Sequence, residues 1–309
     1  MSRPAVDIVV PFVGSDRELD QLLDHLRRIQ RGPKDTLTVV DNRPGADAGH
    51  ARRADVMRAP DVQSSYHARN HGAARGRAPW IVFLDADVEV EPDLVEGYFA
   101  TPVAAGTGLL AGAIEPTLPP GGGRVARYGL LRRHLAGEGV STAGHEYALT
   151  ANVAVRREAF EALGGFADGV RSAGDADFCF RARDAGWALE RRSGARVRHP
   201  VRASLKAMLR VFARYGAGCE WARERYPTFS PPTPLPRMLL RVAAAGVRVP
   251  RAVLRGRRDD ALTGALDPLL GLAFELGRFL PNQSAPSWRD RATALARAVR
   301  QRRSGVRAR

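Results

Sequence analysis

The sequence predicts an α/β fold, with a mostly parallel central sheet flanked by helices and a basic α-helical extension at its C-terminal end. Three observations carry this expectation. Strand-like apolar runs alternate with helix-periodic segments between residues 5 and 84, a β-α-β-α-β rhythm that implies right-handed crossovers. Two of those runs end in carboxylates, Asp41 and Asp85. The charge also changes character after residue 200: residues 1–200 hold 26 basic and 26 acidic side chains, whereas residues 201–309 hold 22 and 7 and carry the whole net charge of +15. With 309 residues, 44% of them hydrophobic, the chain can bury a substantial core, and we expect one domain over 1–200 and a second region over 201–309.

Residues 5–13 are apolar, interrupted only by Asp7, and read as a first strand. Residues 16–31 place Leu19, Leu22, Leu23, Leu26 and Ile29 at helical spacing, with Ser15 or Asp16 as cap and Gly32-Pro33 as the stop. A second strand over 36–40 ends in Asp41-Asn42, a short one lies near 55–57, and a helix over 65–75 leads to the run Trp-Ile-Val-Phe-Leu at 80–84. That run suits a strand buried on both faces. Asp85 and Asp87 follow it, at the strand end where open α/β sheets bind ligands. Two apart on an extended chain, they point to one side and can hold a ribose hydroxyl and a hard divalent cation. A strand that merely ends in a polar turn would look the same.

After Pro92 a short helix and the apolar run 108–114 follow; residues 116–123, Pro-Thr-Leu-Pro-Pro-Gly-Gly-Gly, predict irregular loop. Residues 148–155 look extended, 157–163 helical up to Gly164-Gly165, and 175–186 helical again, before a strand-like segment that leads to His199. In a parallel sheet the carboxyl ends of strands share one edge, so Asp41, Asp85 and Asp87 are expected to converge.

Several motifs occur in a fixed order: Asp-Ile-Val-Val-Pro at the start, Val-Val-Asp41, Ala-Arg69-Asn70-His-Gly72, Phe-Leu-Asp85-Ala-Asp87, Ala-Asn152-Val-Ala-Val-Arg156-Arg157, Leu-Gly164-Gly165-Phe166 and Gly-Asp175-Ala-Asp177-Phe-Cys-Phe-Arg181. With this set the chain resembles the family 2 glycosyltransferases, which have the GT-A (Rossmann-like) nucleotide-diphospho-sugar transferase fold, over about residues 5–200. The resemblance implies a metal-dependent inverting transferase that moves a sugar from a nucleotide-diphospho-sugar donor to an acceptor hydroxyl, in cell-envelope glycan, glycolipid or related glycoconjugate synthesis. It implies that Pro11, Phe12, Val13 and Asp41 hold the nucleoside, and that Asn70, Asp85 and Arg181 serve the donor. Asp87 and His199 would bind Mg²⁺ or Mn²⁺, and Asp175 would be the general base.

The chemistry needs such groups. A sugar hydroxyl is a poor nucleophile, and general-base help is worth ~10²–10⁴-fold. The departing diphosphate gains negative charge that a divalent cation neutralises. Two departures stand out: Asn42 follows Asp41 where the family often has a second acid, and Gly174 precedes Asp175 where an acid is usual. They leave a catalytically inactive GT-A scaffold as an alternative. Each residue also has a plainer role: Asp175 and Asp177 as helix-capping acids, His199 as a strand-end hydrogen-bonder, Asn70 as a loop brace, Gly164-Gly165 as a helix stop and Cys179 as a buried small hydrophobe.

In the basic region, Leu205, Met208, Leu209, Phe212 and Tyr215 share one helical face, and Arg202, Lys206, Arg210 and Arg214 recur every four residues on another. A helix on an anionic membrane surface has this pattern, each basic residue adding ~1 kcal/mol; so does a helix packed on the domain with a solvated arginine face. Residues 237–255 continue the theme with Arg237, Arg241, Arg248, Arg251 and Arg255, interrupted by Pro250. Residues 262–280 contain Asp267, Pro268, Glu275 and Arg278, which suits a docked or interfacial helix better than a span. The family resemblance, not the helix pattern, adds a lipid-linked acceptor, which many similar transferases use. Nucleic acid fits poorly, because no recognition motif or aromatic-basic interleaving is present. A nucleotidyltransferase would need a Gly-rich phosphate loop that is missing around 11–17. Two cysteines make no disulfide framework, and without a signal peptide's apolar stretch the expected location is cytoplasmic, peripheral on the inner face of the membrane.

Overall fold

The computed structural model describes residues 3–44, 54–134, 136–142 and 145–284. The last stretch of the basic region, 285–309, lies outside the described residues. In chain order the elements are β1 (Val6–Phe12), α1 (Asp16–Leu26), β2 (Thr36–Asp41), β3 (Val56–Arg58), α2 (Ser65–Arg75), β4 (Trp80–Leu84), β5 (Glu89–Val90), α3 (Leu94–Phe99), β6 (Thr107–Thr117) and α4 (Arg124–Arg132). They continue with β7 (Val140–Thr142), β8 (His145–Tyr147), β9 (Asn152–Arg156), α5 (Arg157–Ala162), α6 (Gly174–Asp184), β10 (Ala188–Pro200), α7 (Leu205–Arg223), α8 (Leu235–Leu254) and α9 (Arg258–Gly277).

Eight strands form one sheet in the order β3-β2-β1-β4-β9-β6-β10-β5. The first four run parallel, as the β-α-β rhythm requires, and β6 runs parallel to β10. Strand β9 lies antiparallel between β4 and β6, and β5 pairs antiparallel with the end of β10. The central strands are buried on both faces: α1 and α3 cover one, α2 and α6 the other. Ser15 caps α1 in a reciprocal box with Glu18, satisfying two otherwise orphan N–H groups.

Asp7, the one charge in the first strand, proves to be a buried brace. It accepts from Arg157 at 2.7 Å, from the Thr36 hydroxyl at 2.6 Å and from the Ala78 N–H at 2.8 Å, tying β1 to the start of α5. Helices α7 and α9 pack on α4 and on each other, and α8 packs on α9. The crossing of α7 and α9 is close because Gly216 faces the Phe274 carbonyl and Gly277 faces the Ala213 carbonyl; a Cβ at either position would come within 1.9 or 2.0 Å of that oxygen.

Several boundaries differ from the sequence expectation. Helix α1 stops at Leu26 rather than 31, although Ile29 is still buried. Pro116 and Thr117 extend β6, because they pair with His199 and Pro200 at the end of the sheet where a missing N–H is tolerated. Residues 148–151 are not strand. Helix α8 runs straight through Pro250. Helix α7 extends to Arg223, and Met208 is buried rather than turned to a membrane.

Candidate active site

The carboxyl ends of β1, β2, β4 and β10 open onto a cleft of about 1500 Å³, walled on its far side by α7 and α9. This exceeds the ~300–1,000 Å³ usual for a single small ligand and leaves room for two substrates side by side. Pro11, Phe12 and Val13, where β1 ends, line one end of it together with Asn42. Asp85, Asp87, His199 and Asp175 lie in the same cleft.

The sheet itself brings His199 to the acidic pair. Arg198 lies opposite Glu89 in the antiparallel β10–β5 pairing, which puts His199 across from the residue after Asp87. The His199 Nε2 is 3.5 Å from Asp87 Oδ1, and ligand atoms of Asp85, Asp87 and His199 all lie within 4.8 Å of one another. His199 Nδ1 donates to the Pro200 carbonyl at 3.0 Å. That bond selects the tautomer whose Nε2 lone pair faces the carboxylates, the usual support of a metal-bound histidine. Two carboxylates and one imidazole form a donor set suited to a divalent cation such as Mg²⁺ or Mn²⁺. Asp85 also forms an ion pair with the buried Arg69 of α2, which fixes its carboxylate.

Asp175 stands at the first turn of α6, after Ala173 in a left-handed conformation (φ 60°) that redirects the chain into the helix. Its Oδ1 accepts from the Tyr66 hydroxyl at 3.2 Å and from the Ala176 N–H at 3.0 Å. Burial pushes the Asp175 carboxyl up from its ordinary value, partly offset by the Ala176 N–H, the Arg69 charge and the Tyr66 hydroxyl. Upward displacement moves a carboxylate toward the range useful to a general base. Gly174 has a steric reason. A Cβ there would come within 2.8 Å of the Tyr66 ring, so the ring occupies the place that an acidic side chain would need. The Tyr66 ring also stacks under the Arg69 guanidinium at 5.5 Å. Asp85, Arg69, Tyr66 and Asp175 thus form one connected set across the cleft floor.

Other expectations need correction. Asp41 does not meet the Asp85–Asp87 pair: it is buried and clamped by Arg43, whose Nε and second terminal nitrogen reach its two oxygens at 2.9 and 2.8 Å. Asn42 reaches the cleft instead and is held by the Ala59 and Val62 carbonyls. Asn70 lies outside the cleft, because its amide exchanges two 2.9 Å hydrogen bonds with the Phe166 backbone. Arg181 is also outside it, engaged with Asp177 at 2.8 Å and with the Leu163 and Gly165 carbonyls at 2.7 and 2.8 Å. Both side chains brace the Gly164-Gly165 turn, where φ is 70° and 73°. Nor do Arg202 and Arg214 belong to a membrane stripe: they line the cleft with Phe212 and Tyr215. Arg69, Tyr66, Arg202 and the α7 residues Phe212, Arg214 and Tyr215 were not assigned to a site from the sequence, since nothing local marks them as a cleft wall.

Residues 7–164, just over half of the chain, match the family described as Glycosyl transferase family 2. The chain belongs to that family. It is a glycosyltransferase, and its sheet and flanking helices are the GT-A fold. Glycosyltransferase AglE of Haloferax volcanii is 28% identical over 227 residues, 70% of this chain and 73% of that protein. The pre-mycofactocin glycosyltransferase of Mycobacterium tuberculosis is 27% identical over 235 residues, 74% of this chain but only 49% of its own length. Among solved structures, a mannosyltransferase from Pyrobaculum calidifontis in complex with GDP-Man and Mn²⁺ superposes with a TM-score of 0.54 at 17% identity, covering 89% of this chain and 88% of that one. At that identity the likeness is one of fold. Among the described residues no helix of this family member is long and apolar enough to cross a membrane.

Proposed function

We propose that the chain is a metal-dependent, inverting glycosyltransferase whose donor is a nucleotide-diphospho-sugar and whose general base is Asp175. The observation that carries this reading is the placing of Asp85, Asp87 and His199 in one cleft with a carboxylate that burial makes more basic. Pro11, Phe12, Val13 and Asn42 receive the nucleoside. Asp87 and His199 hold the cation, with Asp85 completing the set or contacting sugar or ribose. When bound, Mg²⁺ or Mn²⁺ acts as a Lewis acid toward the diphosphate. Arg202 and Arg214 reach the same space and add guanidinium contacts to phosphate oxygens.

Asp175 takes the proton of the acceptor hydroxyl as its oxygen attacks the anomeric carbon. The carbon–phosphate-oxygen bond breaks on the opposite face and its electron pair leaves with the nucleoside diphosphate, so the configuration inverts. Phe212, Tyr215 and Phe274 supply an aromatic wall for the acceptor side of the cleft, suited to a sugar face or a lipid-linked acceptor. The part of the chain up to residue 200 is the catalytic domain in this reading, and the basic helices complete its cleft.

The test is thermal stabilisation by UDP-, GDP- and dTDP-sugars with and without Mn²⁺ or Mg²⁺, in the native chain and in Asp87→Ala. A ligand at 100 times its Kd stabilises by about 2.7 kcal/mol. Cation-dependent stabilisation by one nucleotide class, lost in Asp87→Ala, is expected. No stabilisation by any donor overturns the reading. Donor binding with nucleoside diphosphate release that Asp175→Asn leaves unchanged assigns the base elsewhere, and binding with no turnover at all favours the scaffold.

A further inference from the structure

We infer that the α8–α9 hairpin is a docking surface for an anionic lipid bilayer, which it engages along the plane of the interface. The inference is independent of the transferase chemistry and rests on what the two helices leave exposed. Met238, Ala245, Val249 and Ala252 recur at helical spacing and are the less exposed face of α8. Leu235, Leu239, Val242 and Val253 lie on the next face round, and Leu240, Val247 and Leu254 follow at intervals of seven beyond them. All seven are exposed, Leu254 to 88%. Arg237, Arg241, Arg248, Arg251 and Arg255 fill the remaining sector. The helix thus has a packed face, a broad bare apolar face and an arginine face.

Helix α9 likewise has a packed face and a bare apolar one, without the arginine face. Asp267 and Phe274, seven apart, face α4 and the cleft. Leu269 and Leu276, two residues further on, fall on the opposite side and are exposed, as are Phe279 (87%) and Leu280 just beyond the helix. Isolated exposed leucines are ordinary, but two adjoining helices with bare apolar faces are not.

Charge decides the occupant. Helix α8 contains no acidic residue. The acids of α9 are all engaged: Asp259 with Arg127, Asp260 with Arg257, Asp267 with Arg132 and Glu275 with Arg278. A second copy of the chain would bring two arginine sectors together with no carboxylate between them. An anionic leaflet meets the same surface with opposite charge, while the leucines enter the acyl boundary and the long arginine side chains reach back to the headgroups. The geometry also has a use. Phe274 lines the cleft and Leu276 faces outward, so the cleft lies about one helix diameter, ~10 Å, from the proposed membrane plane.

The test is co-sedimentation of the full chain with phosphatidylcholine vesicles, with and without phosphatidylglycerol, at low and high salt. Two variants accompany it: Leu239→Gln/Val247→Gln/Leu254→Gln and Arg237→Gln/Arg248→Gln/Arg251→Gln/Arg255→Gln. The exposed positions leave the fold intact, which circular dichroism checks. Each arginine near an anionic leaflet is worth about a fivefold factor in partitioning, so the arginine variant should lose at least tenfold on anionic vesicles. The leucine variant should lose binding to both compositions. Binding unaffected by the leucine changes overturns the inference. So does a stable dimer that the leucine variant dissociates, which gives the face to a second copy. Binding that appears only after removal of residues 285–309 gives it to that segment. None of these readouts requires donor or turnover, so their failure leaves the transferase reading untouched.

Discussion

Tyr66→Phe separates a positioning role for Tyr66 from a merely structural one. The ring fills the space beside Gly174, and phenylalanine keeps it; only the hydroxyl that donates to Asp175 at 3.2 Å is removed. Hydrogen bonds to charged groups are worth about 1.5–3 kcal/mol. This one is longer than the usual O–H···O distance of about 2.7–2.8 Å, so the lower end applies, and about 1.4 kcal/mol is a factor of ten. The direction follows from the cause. Burial already raises the Asp175 carboxyl, and the Tyr66 hydroxyl opposes that rise by stabilising the carboxylate. Without it a smaller fraction of Asp175 is ionised at a given pH.

The assay is initial-rate transfer across pH with the donor class found in the binding screen. On the acid limb, kcat/KM of Tyr66→Phe should fall roughly tenfold, and the limb should move to higher pH. At alkaline pH, where Asp175 is ionised in both proteins, the rates should converge. Donor affinity should not change. A loss of equal size at every pH would mean general damage, and an unmoved acid limb would refute the link between Tyr66 and the base. The sign can be checked on stability as well: a carboxyl whose folded pKa is raised holds its proton more tightly when folded. Its contribution to stability therefore declines as pH rises from the ordinary carboxylate range through the raised value.

Two further outcomes test the braces on either side of the site. Asp7→Asn removes the buried carboxylate paired with Arg157 and leaves it only the exposed Glu161 carboxylate at 3.3 Å, and urea unfolding should show a loss of about 3 kcal/mol, the lower end for a broken buried pair; a loss below ~1 kcal/mol would mean that the site relaxes or hydrates. Arg181→Ala removes two hydrogen bonds that hold the Gly164-Gly165 turn and a third to Asp177 within α6 and should lower stability by roughly 1–3 kcal/mol while leaving donor affinity unchanged. A marked rise in donor Kd would restore Arg181 to the binding site.

The fold was legible because its signals are local. Five apolar residues from Trp80 to Leu84, the Ser15 cap and the leucine period of α1 specify their elements without reference to the rest of the chain. The grouping of Asp85 and Asp87 with His199 was legible for a different reason: parallel topology puts the two carboxylates at one sheet edge, and the family resemblance supplied His199. Asp41 obeys the same rule and still fails to join them, because its neighbour Arg43 folds back over it, a side-chain choice that strand patterning does not carry. Asn70 and Arg181 were misplaced by motif position alone. Their side chains reach across 96 and 16 residues to satisfy backbone groups of one irregular turn, and such a turn has no sequence period. Tyr66 was missed because its partner Asp175 lies 109 residues away on another helix.

The basic region shows how far a charge count can go. A single surplus of arginine over residues 201–309 divides by geometry into separate uses. Arg202 and Arg214 turn into the cleft, Arg278 is buried in a network with Glu220 and Glu275, and the arginines of α8 face outward. What separates them is the crossing at Gly216 and Gly277, which lets α9 approach α7 closely enough to make one wall. That wall has Phe274 on its inner side and Leu276 on its outer side. The same close packing that completes the cleft therefore also fixes which apolar side chains remain outside, and the inner wall of the cleft and an outward apolar face are two surfaces of one helix.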